Sequence, residues 1–252
     1  MNTTEIIEAK NWKGADLDCV SCASSGSNCK LLEACVEDRY AKRIDRFFER
    51  NRERAKDYLS HPYFEVRAVA AKHVEVEFLP GLMKDRDGTV RWSVATRLDP
   101  LHLSKMRTDP EREVRIRVAS RIDEANLGAM IDDPDYYVRQ IVARRIPASL
   151  LPLMMSDPDR EVRKTVARRI PGEWLVKMLA DGDASVRLEA ARRVDGEWLK
   201  LVLDDEDWRM RYEVAGRIEP KYLKRLLVDQ DEMVRNLAKS RIREAKNGED
   251  QP

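Results

Sequence analysis

Apolar positions in this chain follow a helical period, and the helix-sized block they form returns every 24 residues. In one block Val114, Val118 and Ile122 stand at i, i+4 and i+8, on one face of an α-helix. The pair Val-Arg marks the same point in successive blocks: Val66-Arg67, Val90-Arg91, Val114-Arg115, Val138-Arg139, Val162-Arg163 and Val186-Arg187, then Met210-Arg211 and Val234-Arg235. Seven residues later comes a second basic position (His73, Arg97, Arg121, Arg145, Arg169, Arg193, Arg217, Arg241), each followed by an aliphatic residue. Eight copies without insertion, from about Ala55 to about Ala245, are the signature of a helical repeat array. One such unit cannot bury its own apolar face, so neighbours stack to make a core.

Each block divides in two. Asp109-Pro110, Asp133-Pro134 and Asp157-Pro158 have the form of an N-cap followed by proline at the first helical position, which predicts a long helix over Pro110–Ile122 and its equivalents. Pro100, Pro147, Pro171 and Pro220 follow the long helices and stop them. About eight residues then remain, with a shorter apolar pattern such as Leu127, Met130 and Ile131, or Trp174, Leu175, Met178 and Leu179; this predicts a short, 3₁₀-like helix. Met106, Met130, Met154 and Met178 share one phase and are assigned to the core. No stretch alternates with period 2, so no β-sheet is expected.

Arginine is the most regular polar residue. At about 100° per residue, Arg115 falls only about 20° beyond the arc of Val114, Val118 and Ile122. Arginines stacked there repel unless paired, and the periodic acids Asp109/Glu111 and Asp133/Asp135 are the partners at hand. The pattern is read as a buried or half-buried Arg–Asp ladder. The competing reading is a basic groove for phosphate or nucleic acid.

Composition narrows the class. The chain is 37% charged yet its net charge is +1, so no strong global field draws in nucleic acid or membrane. No apolar run approaches the roughly 20 residues that span a bilayer. The N-terminus lacks a basic region followed by an apolar core, so no secretory signal is read there and a cytoplasmic location is expected. There is no Gly-rich phosphate loop, G-x-S-x-G or H-E-x-x-H, so no catalytic residue is assigned and an enzymatic activity is not expected. His61, His73 and His102 are read as packed or solvated rather than metal-binding.

The candidate chemistry lies ahead of the repeats. Cys19, Cys22, Cys29 and Cys35 form C-x₂-C-x₆-C-x₅-C, so all four sulfurs lie within 17 residues. Four thiolates suit tetrahedral Zn²⁺ or an iron–sulfur cluster. Six residues along one helix turn through about 240°, so Cys29 and Cys35 cannot point the same way from a regular helix. The chain must break around them, and the intervening Ala23–Asn28 stretch is loop-like. Wide, uneven spacing suits a cluster whose irons occupy different corners; zinc, and then disulfides, stay open as alternatives.

The repeats, with V-R-x-x-V-A-x-R-I after D-P-D/E as in Asp157–Ile170, resemble the leucine-rich repeat variant family, and the four cysteines resemble that family's iron–sulfur domain. The resemblance runs from Asp16 to about Ala245 and departs from the pattern mainly at the ends, at His61, His73 and Lys239. It implies an all-α, right-handed superhelical solenoid of eight 24-residue repeats, each a longer α-helix plus a short 3₁₀ helix, with a [4Fe–4S] cluster held by Cys19, Cys22, Cys29 and Cys35. The expected divisions are a cysteine domain over 1–38, a basic connecting and capping helix over 39–54, the repeats over 55–246 and a disordered tail over 247–252. The function expected is an iron–sulfur-containing scaffold with a protein partner on its concave face. The cluster's role there is structural, redox-sensing or electron-transferring. An electron-transfer protein or redox enzyme subunit is the alternative, and nucleic-acid binding the second; no membrane partner is expected, and the oligomeric state is left open.

Overall fold

A computed structural model describes residues 8–249. Among them no β-strand occurs, only isolated bridges between Lys10 and Asp16, Asn11 and Asp38, and Lys30 and Ala34. The chain divides into two compact units, Met1–Asn126 and Leu127–Pro252. In the first, the cysteine-bearing segment leads into a helix at Ala41–Arg50 and a 3₁₀ helix at Arg52–Tyr58. Long helices follow at Phe64–His73, Gly88–Arg97 and Arg112–Arg121, each packed on the next. In the second unit the long helices are Tyr136–Arg145, Arg160–Ala167, Ala184–Ala191, Trp208–Arg217 and Glu232–Glu249, again packed in sequence. The short elements between them are 3₁₀ at Val76–Leu82, Ala148–Met154, Gly196–Val202 and Pro220–Val228, α-helical at Gly172–Met178, and mixed at the other two, with α-helix at Pro100–Leu103 and Glu124–Leu127 continued as 3₁₀ at Ser104–Met106 and Gly128–Met130. The stripe residues Val114, Val118 and Ile122 are fully buried, and Met106, Met130, Met154 and Met178 lie in the core as expected.

The long helices start later than Asp-Pro predicts. The third begins at Arg112, with Glu111 as its N-terminal boundary residue, and Pro110 lies in the turn before it. The reason is a division of labour between two acids two residues apart. The second caps: Asp87, Asp135, Asp159, Asp183 and Asp207 each accept a backbone N–H of the first turn. The first is committed elsewhere. Asp85, Asp109, Asp157, Asp181, Asp205 and Asp229 each receive Nε and Nη2 of the arginine 18 residues earlier, as in Arg139–Asp157 at 2.7 and 2.9 Å. The same arginine's Nη1 donates to the carbonyl of the acid six residues before it, as Arg139 does to Asp133 at 2.8 Å. The ladder is thus built repeat to repeat.

The connecting helix is shorter than the 39–54 expected. It ends at Arg50, where Asn51 leaves helical geometry and the 3₁₀ helix begins. Its buried face includes Ile44, Phe47 and Phe48, and the helix packs against Phe64–His73. At the other end the last helix runs to Glu249, into the stretch 247–252 expected to be disordered. No proline stops it, and Lys246 complements the negative helix end. The rest of that tail lies outside the described residues, as do residues 1–7 of the expected cysteine domain.

Candidate metal centre

The cysteine segment has little apolar material, and polar bonds shape it. The backbone N–H of Asn11 donates to the carbonyl of Ala15, and Lys10 pairs with Asp16 at 2.6 Å. Gly14, in this turn, has φ +88°, a conformation side chains resist. Trp12 stacks on Tyr63 of the repeats, ring centroids 6.0 Å apart. Asp38, fully buried, accepts from Arg43 at 2.8 Å and from the N–H of Tyr40 at 2.9 Å, which anchors the segment to the first helix. That pair is buried on both sides, so removing either partner strands a charge.

The structure brings Cys19, Cys22, Cys29 and Cys35 to the wall of one cavity of ≈ 410 Å³, with Ser24–Ser27 and Ala34 among its other lining residues. Cys19 and Cys29 lie at its exposed rim, Cys22 is half-buried, and Cys35 is buried. No carboxylate or imidazole lines this cavity, so beside serine hydroxyls its donors are the four sulfurs, which suit soft metals. Among the described residues no three His, Cys, Asp or Glu side chains stand close enough to share a single ion. A smaller recess of ≈ 250 Å³ shares Cys19, Cys22 and Cys35 and adds Asp16, Asp18 and Glu37. Burial pushes the Cys35 thiol up to about 11, against the N–H groups of Glu37 and Asp38, which favour its thiolate. A metal binding there must displace that proton.

Gly26, at φ +93°, turns the loop between Cys22 and Cys29. Residues that sequence reasoning did not single out hold this loop: Asn51, Arg54 and Tyr58 bond to Asn28, Ser27 and Ser24. Only the covering of 24–28 by small polar residues hinted at such partners. Two of the three histidines are packed. His73 bonds Asp45 at 2.8 Å and stacks on Phe48, while His61 stands 3.9 Å from Glu37 and edge-on to Trp12.

The ladder arginines form no open groove: Arg67, Arg91, Arg139, Arg163, Arg187 and Arg211 are each held bidentately by an aspartate. The second arginines have a separate task. Arg97 Nη1 donates to the carbonyls of Ala71 and Val74, and Arg121 Nη1 to those of Ala95 and Leu98, closing the C-terminus of the preceding long helix. Burial lowers the pKa of Arg97 and Arg121, since no carboxylate answers their charge directly.

Against known proteins, the model of the family described as LRV protein FeS4 cluster matches residues 9–57, which takes in the four cysteines, the first helix and all of the first 3₁₀ helix except Tyr58. The structure of a leucine-rich repeat variant with a novel repetitive protein structural motif is 39% identical, with a TM-score of 0.84, over 89% of this chain and 98% of that one. An uncharacterized 27.7 kDa protein in the nifB 3′ region of Rhodobacter capsulatus is 42% identical over 99 residues. That match spans 38% of this chain and only 40% of the Rhodobacter protein.

Proposed function

The chain belongs to the leucine-rich repeat variant family and carries its iron–sulfur domain, and from that premise we propose that it is a repeat scaffold whose N-terminal [4Fe–4S] cluster is held by Cys19, Cys22, Cys29 and Cys35. One observation carries the assignment: four thiols, and no carboxylate or imidazole, line one cavity of ≈ 410 Å³. A single Zn²⁺ would need its four sulfurs drawn to about 2.3 Å from one point, whereas a cluster presents a separate iron to each thiolate. When bound, the cluster supplies a one-electron redox couple. Cys35 anchors it from the buried side, and Cys19 and Cys29 leave its outer side open to small oxidants.

The repeats serve as the binding face for a protein partner. Support for this reading comes from the repeat architecture, which offers long surfaces to macromolecules, and not from any catalytic constellation. The exposure of Cys19 and Cys29 also favours a second reading, electron transfer, since a donor or acceptor protein can approach that rim. Nucleic-acid binding has less support, because the ladder arginines are already engaged. No helix among the described residues is long and apolar enough to cross a membrane. Single Cys→Ala replacements, assayed for iron and acid-labile sulfide after anaerobic purification, test the ligand set. Each should lower or abolish cluster content, and undiminished content in any one would remove that cysteine from the set. Affinity capture with cluster-loaded and cluster-free protein then tests the scaffold reading, which predicts a protein retained through the repeats.

A further inference from the structure

The loop between the second and third cysteines is gripped by the start of the repeats. Ser24, 2% exposed, has its hydroxyl 2.7 Å from that of Tyr58. Arg54 donates to the hydroxyls of Ser27 and, at 3.3 Å, of Tyr58. The N–H of Asn28 donates to Asn51 Oδ1 at 3.2 Å, and Nδ2 of the same amide donates to the carbonyl of Phe47 at 2.8 Å. The Tyr58 ring is wedged edge-on between Phe47 and Phe48, centroids 6.0 and 5.5 Å away, so its hydroxyl has a fixed position. At the other end of this chain of contacts stands a cysteine sulfur. The N–H of Ser24 donates to Cys22 Sγ at 3.4 Å, and its carbonyl lies 3.6 Å from Cys29 Sγ.

We propose that Tyr58, assisted by Arg54, is a positioning residue for the cluster: it fixes the Ser24 peptide so that its N–H points at the Cys22 sulfur, and so raises the cluster's reduction potential. This rests on the assignment of Cys22 as a ligand. One-electron reduction adds negative charge that is shared with the thiolate sulfurs. A hydrogen-bond donor aimed at a sulfur favours the more negative state, and the potential rises. Cys29 Sγ donates only while it carries a proton, so ligation leaves the Ser24 N–H as the contact that persists. Linkage makes the effect reciprocal. If Tyr58 orders the loop for the cluster, the cluster orders Tyr58 and the 3₁₀ helix Arg52–Tyr58 in return, and that gives the first repeat a means of registering whether the cluster is present.

The experiment uses the full chain, purified anaerobically, as wild type, Tyr58→Phe, Ser24→Ala, the double variant and Tyr63→Phe. Tyr63 is a control in the same repeat whose hydroxyl bonds the carbonyl of Arg39 instead. Iron and sulfide are measured on every sample, and the midpoint potential by dithionite titration followed by electron paramagnetic resonance. The expected result is a downward shift in Tyr58→Phe and Ser24→Ala, no larger in the double variant than in either single one, and none in Tyr63→Phe. Hydrogen exchange of residues 52–58 should quicken on cluster removal in wild type, and be quicker already in cluster-loaded Tyr58→Phe. A Tyr58→Phe protein with full cluster and wild-type potential overturns the proposal. Should Tyr58→Phe take up no cluster, Ser24→Ala decides, and a wild-type potential there overturns it equally. Wild type without iron would instead remove the ligand assignment, and this proposal with it.

Discussion

A ladder arginine joins three places at once: an aspartate one repeat ahead, the carbonyl of its own repeat's acid, and the core beside which its stem lies. Arg139 and Asp157 are the clearest instance, with side chains 11% and 5% exposed. Arg139→Ala should therefore cost about 2–4 kcal/mol in denaturant unfolding, because it strands a buried carboxylate. Arg160→Ala, whose side chain is 65% exposed, should cost less than about 0.5 kcal/mol. Equal effects from the two would contradict the ladder's structural role. Acid gives a second measurement. Arg211, donating to both oxygens, holds the Asp229 carboxyl below the usual range, despite its burial. A folded pKa below the unfolded one means stability present above about pH 3.9 and lost as pH falls through the lower folded value. Asp229→Asn should flatten that acid limb of the stability curve, and an unchanged limb would show the pair to be idle. That arginine sits at the edge of the apolar stripe was legible from the spacing of Val114, Val118 and Ile122. Which acid it pairs with was not, because acids of its own repeat (Asp109 and Glu111 for Arg115) and of the next (Asp133 and Asp135) were both at hand.

Five of the eight long helices are closed at both ends by periodic residues, though not those a local reading selects. Asp135 accepts from the N–H groups of Tyr137 and Val138, so Asp135→Ala should cost about 1 kcal/mol. Protection of the amides in Tyr136–Arg145 against hydrogen exchange should fall by the matching factor of about 5. At the other end, Arg121→Met strands the carbonyls of Ala95 and Leu98 and should cost about 1–3 kcal/mol. Lysine should rescue only partly, since a single ammonium lacks the planar fork. Wild-type stability in Arg121→Met would show that the stem matters and the guanidinium does not. The existence and period of these helices were plain from sequence, but their starts were misplaced by two residues. Asp-Pro imitates a cap, while the true cap is the acid after the proline. The carbonyl partners of the second arginines were invisible because backbone groups leave no mark in a sequence. Gly172–Met178, and the first turns at Pro100–Leu103 and Glu124–Leu127, turned out α-helical where a 3₁₀ helix was expected.

At the scale of the molecule, two kinds of stabilisation meet in one chain. The repeats carry their own buried stripes and ladder, whereas the cysteine segment relies on a few polar bonds and on what its thiols hold. Oxidative loss of the cluster should therefore loosen the cysteine segment and the Arg52–Tyr58 turn while helical circular dichroism falls little. Melting of the repeats on cluster loss would contradict this division. The candidate site was legible as far as its four cysteines, since clustered cysteines advertise themselves. Its support was not, because Asn51, Arg54 and Tyr58 lie more than twenty residues from the loop they hold and carry no spacing signal. The central claim is that Cys19, Cys22, Cys29 and Cys35 together hold one cluster. Its most direct test is metal and acid-labile sulfide analysis of the anaerobically purified chain, with a Mössbauer spectrum of the iron-57 form. The account predicts a brown protein with about four irons and four sulfides per chain, in a single [4Fe–4S] species; a colourless protein with one zinc per chain would contradict it.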